Sequence, residues 1–260
     1  SRNDWQPAFI STLPDYLEDY KAAGFDSICL GYEAIVNLAT FSLEGKENKD
    51  IRYAVNRMEK MGYTAVVHQP PLDSDLYARL HEISDYWLTS HHGGEMHFSD
   101  GWFNEKYIQS GSVMVIHAAD GSPTAFANLV PEYQKNELTI DLMRHLPEVE
   151  HGTMEFLFAR LLQYARKNNY ATFSLGLSAI VGDGEKPDDP AVEKALHTLS
   201  EFASRYFNFK GLHNFKEKFH PDWQPRYLIY PGAASLPQIL STLLQAHSGR
   251  NYLWKFLHKQ

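Results

Sequence analysis

The chain has 260 residues, 24 Lys+Arg against 32 Asp+Glu, and a formal charge of −8 at pH 7. At about 100–200 residues per domain this allows one large domain or two small ones, and 43% hydrophobic residues exclude a disordered chain. The single cysteine, Cys29, excludes an intramolecular disulfide framework and any CxxC site, and the negative balance excludes a protein that coats nucleic acid with its whole surface.

No apolar run approaches the ~18 residues of a membrane span. The first residues, SRNDWQPAFIS, lack a basic region followed by an apolar one, so they read as the start of a chain inside a fold rather than as a signal peptide. An apolar run at 7–10 is followed by a helix after Pro14, with Tyr16, Leu17, Tyr20 and Ala23 at helical spacing and a stop at Gly24. Two apolar strands are expected at 27–30 and 34–38. A helix over 46–61 carries the stripe Ile51, Ala54, Val55, Met58 and Met61. Lys46, Lys49, Arg52, Arg57 and Lys60 lie mostly off that stripe and outnumber Glu47, Asp50 and Glu59, which suits a solvated face or a surface for an anion.

A strand at 63–68 leads to the Pro70-Pro71 connector, and a domain boundary is expected within 63–72. Leu76, Leu80, Ile83 and Trp87 share one face of the next helix, and a loop rich in His and Gly covers 90–101. Three strands follow at 113–118, 124–130 and 137–143, with Asp120-Gly121 as the first hairpin turn. In the third, Leu138, Ile140 and Leu142 alternate with Thr139, Asp141 and Met143, so one face is apolar and the other carries Asp141. After Pro147 a helix bears Met154, Leu157, Phe158, Leu161, Leu162 and Ala165. A buried strand at 171–177, an acidic loop at 181–190, a helix with Ala195, Leu196, Leu199, Phe202 and Ala203, a strand at 226–230 and two short helices within 236–260 complete the chain. The order from residue 76 onward is that of an α+β domain with a mostly antiparallel sheet, shared by the GNAT acyltransferase fold and by others.

Several groups could carry chemistry. Asp141 and Arg144 stand at the end of a strand, where a carboxylate can accept a proton and a guanidinium can hold an anion or an oxyanion; a structural salt bridge is the other reading. His91, His92 and His97 with Glu95 offer four metal-ligating groups, but their spacing fits no established zinc motif. Residues 208–227 interleave Lys210, Lys216, Lys218 and Arg226 with Phe209, Phe215, Phe219, Trp223 and Tyr227, which suits phosphate and base contacts or an anionic lipid, and equally a packed loop with solvated lysines. Gly176 ends a strand where its amide could serve an oxyanion, or simply permit a tight bend. The sequence holds no GxxxxGK[ST] phosphate loop and no [RQ]xxGx[GA] loop of the kind that binds acetyl-CoA.

Together the segments GYEAIVNLATFSLEGKENKDIRYAVNRMEKMGY (31–63), FANLVPEY (126–133), LTIDLMRH (138–145), HGTMEFLF (151–158), FSLGLS (173–178) and FNFKGLHNFKEKFHPDWQPRYLIY (207–230) resemble the catalytic region of the MprF-type phosphatidylglycerol lysyltransferases. The resemblance implies a tandem GNAT-like fold, with residues 1–66 the end of a first unit plus a basic linker helix (46–61), and 67–260 the catalytic unit. It implies transfer of an aminoacyl group, lysyl or alanyl, from aminoacyl-tRNA to phosphatidylglycerol at the cytoplasmic face of a membrane. It also implies an N-terminal transmembrane domain in the full-length protein. No cofactor or metal is expected, because the aminoacyl ester is already activated. Asp141 and Arg144 match the family's catalytic Asp-x-x-Arg pair. Asn128, Gly176, Ser178, Lys216, Lys218 and Arg226 fall to substrate binding, and Lys46, Lys49, Arg52, Arg57 and Lys60 to tRNA. The alternatives are a GNAT-type N-acyltransferase acting on a small amine or peptide, and a non-catalytic tRNA- or lipid-binding module.

Overall fold

A computed structural model describes residues 5–90, 101–178 and 209–248. Strands β1 (Phe9–Thr12), β2 (Asp26–Asn37), β3 (Thr64–His68), β4 (Val113–His117), β5 (Pro123–Glu132), β6 (Glu137–His145), β7 (Thr172–Ser178) and β8 (Asp222–Tyr230) alternate with helices. The helices are α1 (Leu17–Ala22), α2 (Lys49–Lys60), α3 (Ser74–Ser90), α4 (Glu105–Ile108), α5 (Thr153–Lys167), α6 (Phe209–Glu217) and α7 (Leu236–Ser248). The fold is a mixed sheet flanked by helices, in the element order expected of a GNAT-like acyltransferase. Among the described residues no helix is long and apolar enough to cross a membrane.

The chain forms two compact units. One holds residues 1–34, 176–217 and 222–260, and the other holds 35–175 and 218–221. The expected boundary between 66 and 67 therefore falls inside the second unit, within β3. The physical reason is that β3 is hydrogen-bonded along its whole length to β4, from Thr64 opposite His117 to His68 opposite Val113.

In the second unit the strands run in the order β7-β6-β5-β4-β3. All neighbours are antiparallel except β6 and β7, which pair in parallel from Glu137–Thr172 to Thr139–Ser174. A parallel pair needs a long crossover, and α5 supplies it. Of its expected stripe, Leu157, Phe158, Leu161, Leu162 and Ala165 are buried and Met154 is partly buried, while Phe156 is buried as well. At roughly 1.5–3 kcal/mol per large side chain relative to exposure, this helix is a main source of stability for the unit. The α2 helix packs on α5 and buries Ile51, Ala54, Val55 and Met58. Met61 of the expected stripe is exposed, because the helix ends one residue before it. On α3, Leu80 and Ile83 join Leu72, Phe103, Ile108, Val113, Val115, Phe126 and Leu142 in one core cluster.

In the first unit β1 pairs antiparallel with β8, and β8 neighbours β2. The two short strands expected at 27–30 and 34–38 are one twelve-residue strand, β2, which passes through Gly31 without a break. Leu30, Leu228, Tyr230, Leu236 and Ile239 form the core here, with Leu243 packed against it. The expected helix at 195–203, the acidic loop at 181–190 and the second tail helix lie outside the described residues.

Candidate active site

The centre of the site is an irregularity in β6. Ala125, Phe126 and Ala127 stand opposite His145, Arg144 and Met143, but Leu129 stands opposite Ile140. Asp141 and Leu142 thus share one partner, Asn128, which defines a β-bulge. The buried Asn128 side chain fills it: Oδ1 accepts from the amides of Asp141 (3.3 Å) and Leu142 (2.6 Å). The strict alternation expected for this strand is therefore corrected. Leu142 does not stay with Leu138 and Ile140 but packs in the cluster under α3, and Asp141 and Arg144 turn to the same side. Arg144 also lies within β6 rather than past its end.

Asp141 is partly buried and tightly held. Both carboxylate oxygens accept from the amide of Gly101 (3.0 and 2.9 Å), and Oδ2 accepts a short hydrogen bond from the Tyr107 hydroxyl. A Cβ at Gly101 would overlap both Asp141 Oδ2 and Tyr107 Cε1, so a larger residue there would have to push these two side chains from their places. Tyr107 is presented by α4, whose N-cap Asn104 accepts from the Tyr107 amide at 3.0 Å. Arg144, 3% exposed, donates from Nη1 to Ser84 Oγ (2.5 Å), and its guanidinium lies 5.4 Å from the centre of the Trp87 ring. Among the described residues Asp141 and Arg144 do not form an ion pair with each other, which removes the salt-bridge reading. The carboxylate and the guanidinium stand on one face with separate partners. A carboxylate oriented by two donors can receive or direct a proton, and a guanidinium can hold an anion.

Gly101, Tyr107 and Ser84 went unnoticed as site residues in the sequence, and Trp87 was read only as part of an apolar helix face. Ser84 left a signal: it sits one turn from Leu80 on the apolar face of α3, where a buried hydroxyl needs a partner.

The first unit holds a second polar cluster. Lys216 on α6 is buried, and its Nζ donates to the carbonyls of Gly176 (2.9 Å) and Leu177 (3.0 Å). Burial lowers its pKa from 10.5 to about 8, against an opposing effect of Glu33. Arg226 is also buried and pairs with Glu33 at 2.5 Å. Gly176 adopts a left-handed φ of +82°, and its carbonyl accepts from Lys216. Ser178 Oγ is fully buried without a hydrogen-bond partner among the described residues.

The remaining expected residues are on surfaces. Lys218, in the second unit, pairs with Glu155 at 2.7 Å. On the basic segment, Lys46, Lys49 and Lys60 are exposed. Two of its five cations have internal partners: Arg52 donates to the carbonyls of Leu43 (2.6 Å) and Gly45 (2.8 Å), and Arg57 bridges Glu150 (2.9 Å) and the carbonyl of His151 (2.6 Å). The candidate ligands His91, His92, Glu95 and His97 lie outside the described residues. A shallow cleft lined by Glu59, Gly62, Tyr63, Thr64, Ala65, Phe156 and Arg160 includes none of the site residues.

Residues 1–230 match the family model described as "Phosphatidylglycerol lysyltransferase, C-terminal". The chain belongs to this family. Phosphatidylglycerol lysyltransferase of Staphylococcus xylosus is 32% identical over 228 residues, which cover 88% of this chain and 27% of that protein. The chain thus spans about a quarter of the length of the curated family members it matches. Two solved structures superpose at a TM-score of 0.83 each. One is the C-terminal domain of a protein named as a lysylphosphatidylglycerol synthetase of Agrobacterium fabrum, at 35% identity, covering 95% of this chain and 75% of that one. The other is L-PGS from Bacillus licheniformis, at 31% identity, covering 93% and 73%.

Proposed function

We propose that this chain is the catalytic part of an aminoacyltransferase that moves an aminoacyl group, lysyl by the names of its relatives, from aminoacyl-tRNA to phosphatidylglycerol. The observation that carries the reading is the bulge in β6, which sets Asp141 and Arg144 on one face without pairing them. The reaction is a direct transesterification. The lipid glycerol hydroxyl attacks the ester carbonyl, its proton passes to Asp141, and the ribose oxygen of the tRNA departs as that proton is returned. A lipid hydroxyl has a high pKa, so a positioned proton acceptor is needed, and such groups are worth about 10²–10⁴-fold in rate. Arg144 holds the lipid phosphate or the developing oxyanion.

In this reading Gly176, Ser178, Lys216, Lys218 and Arg226 serve the bound substrates, with Lys216 and Arg226 acting from buried positions. The exposed Lys46, Lys49 and Lys60, with Arg52 and Arg57, meet the tRNA backbone, and a local basic surface on an acidic protein suffices for that. The enzyme works at the cytoplasmic face of a membrane, with a transmembrane domain preceding this region in the full-length protein.

The test supplies phosphatidylglycerol vesicles with lysyl-tRNA or alanyl-tRNA and looks for a new aminolipid. Product from the unaltered chain, lost in Asp141→Ala and Arg144→Ala proteins that stay folded, is the expected result. Normal product from either variant removes the catalytic assignment. If the chain binds aminoacyl-tRNA but forms no product, it is a binding module. If it binds acetyl-CoA instead, it is an N-acyltransferase.

A further inference from the structure

We infer that Asn128 is a positioning residue rather than a substrate-binding one: by holding the bulge it turns Asp141 to the face of Arg144. This rests on the reading of Asp141 and Arg144 as the catalytic pair. Side chains alternate along a regular strand, so residues three apart point to opposite faces. Asp141 and Arg144 are three apart, and an unbroken β6 ladder would separate them by the thickness of the sheet. The bulge inserts the one extra residue that brings them together.

A bulge needs a holder here, because it takes the amides of Asp141 and Leu142 out of the regular β5–β6 pairing. Both point at a buried position, where an amide without an acceptor is strongly disfavoured. Asn128 Oδ1 accepts both, at 3.3 and 2.6 Å, from a side chain that is itself 6% exposed. The pairing of Phe126 with Arg144 and of Ala127 with Met143 is regular and does not depend on Asn128. Loss of the acceptor therefore moves Asp141 and leaves Arg144 in place. With its Oδ1 taken up by two backbone amides, Asn128 fits this role better than contact with a substrate.

The test compares two substitutions in the whole chain. Asn128→Leu keeps the volume and removes the acceptor; Asn128→Asp keeps an Oδ1 acceptor. Misplacement of a reacting group by about 1 Å costs on the order of 10²-fold. The expected result is that Asn128→Leu lowers kcat by about that factor with KM for the lipid little changed, while Asn128→Asp retains most of the activity. A structural readout accompanies it: the Leu142 amide exchanges slowly with solvent in the unaltered protein and in Asn128→Asp, and rapidly in Asn128→Leu. Undiminished kcat in Asn128→Leu overturns the inference. So does equal loss of activity in both variants while the Leu142 amide stays protected, since the amide nitrogen of Asn128 would then be the working group. If the unaltered chain forms no aminolipid, the functional reading fails separately, and unchanged Leu142 exchange in Asn128→Leu still overturns this one.

Discussion

Two buried arginines make an instructive contrast. Arg226, in the first unit, meets a carboxylate, Glu33, at 2.5 Å. Arg144, in the second, meets a neutral hydroxyl, Ser84, and the face of an indole, Trp87. A guanidinium clasped by a carboxylate has part of its charge offset by that neighbour, whatever it also does for a substrate. Arg144, whose contacts include a hydroxyl and an aromatic ring, stands instead on the strand face that also carries Asp141. In the sequence Arg144 read as half of an Asp-x-x-Arg pair and Arg226 as part of a basic, aromatic segment; that both are buried was not legible there.

Four predictions press on this contrast. The largest effect is expected at the Arg144 side: Arg144→Ala and Asp141→Ala each lower kcat for aminolipid formation by about 10³-fold or more, with circular dichroism and melting behaviour close to the parent. An equal loss from Arg226→Ala without loss of stability would erase the distinction. Next, Arg226→Met removes the guanidinium that pairs with the partly buried Glu33, and urea denaturation should show a loss of about 3–5 kcal/mol, most of it recovered in Glu33→Gln with Arg226→Met. An unchanged midpoint for the single variant would show that the pair is not structural.

The third concerns Lys216. Its pKa is about 8 in the folded chain and near 10.5 when exposed, so between these values the unfolded chain binds more protons. Stability then rises with pH from about 8 to 10.5, by up to about 1.4 kcal/mol per pH unit from this group. Lys216→Met removes that part of the slope and stabilises the protein at pH 7. Identical pH slopes for parent and variant would show that burial does not strain this ammonium.

The smallest stability effect belongs to the exposed cations. Lys46→Glu, Lys49→Glu and Lys60→Glu together should shift each site's stability by no more than about 0.5 kcal/mol, yet weaken tRNA binding and flatten its dependence on salt. Tight, equally salt-dependent binding by the triple variant would move the tRNA surface elsewhere.

Much of the fold was legible because its elements follow simple periods. The stripe of α5 and the meander β4–β5–β6 read directly from apolar spacing and the Asp120-Gly121 turn. The Asp141/Arg144 pair was legible as residues, though not as geometry, since the alternation rule assumes one residue opposite one. The domain boundary was not legible, because pairing across β3 and β4 joins segments about fifty residues apart, and no local pattern encodes that. Tyr107 and Gly101 were hidden for the same reason: they reach Asp141 from 34 and 40 positions away.

The bulge has a consequence for kindred chains. In an unbroken strand an Asp-x-Arg spacing puts both groups on one side, and an Asp-x-x-Arg spacing puts them on two. A chain that loses one residue between Ile140 and Met143 would regain a smooth ladder and shorten the motif by one, and could preserve the same chemistry. A chain that keeps three-residue spacing but replaces the asparagine opposite it by an apolar residue would preserve the letters and lose the enzyme. Divergence at this site should therefore show motif length and the identity of the facing residue changing together.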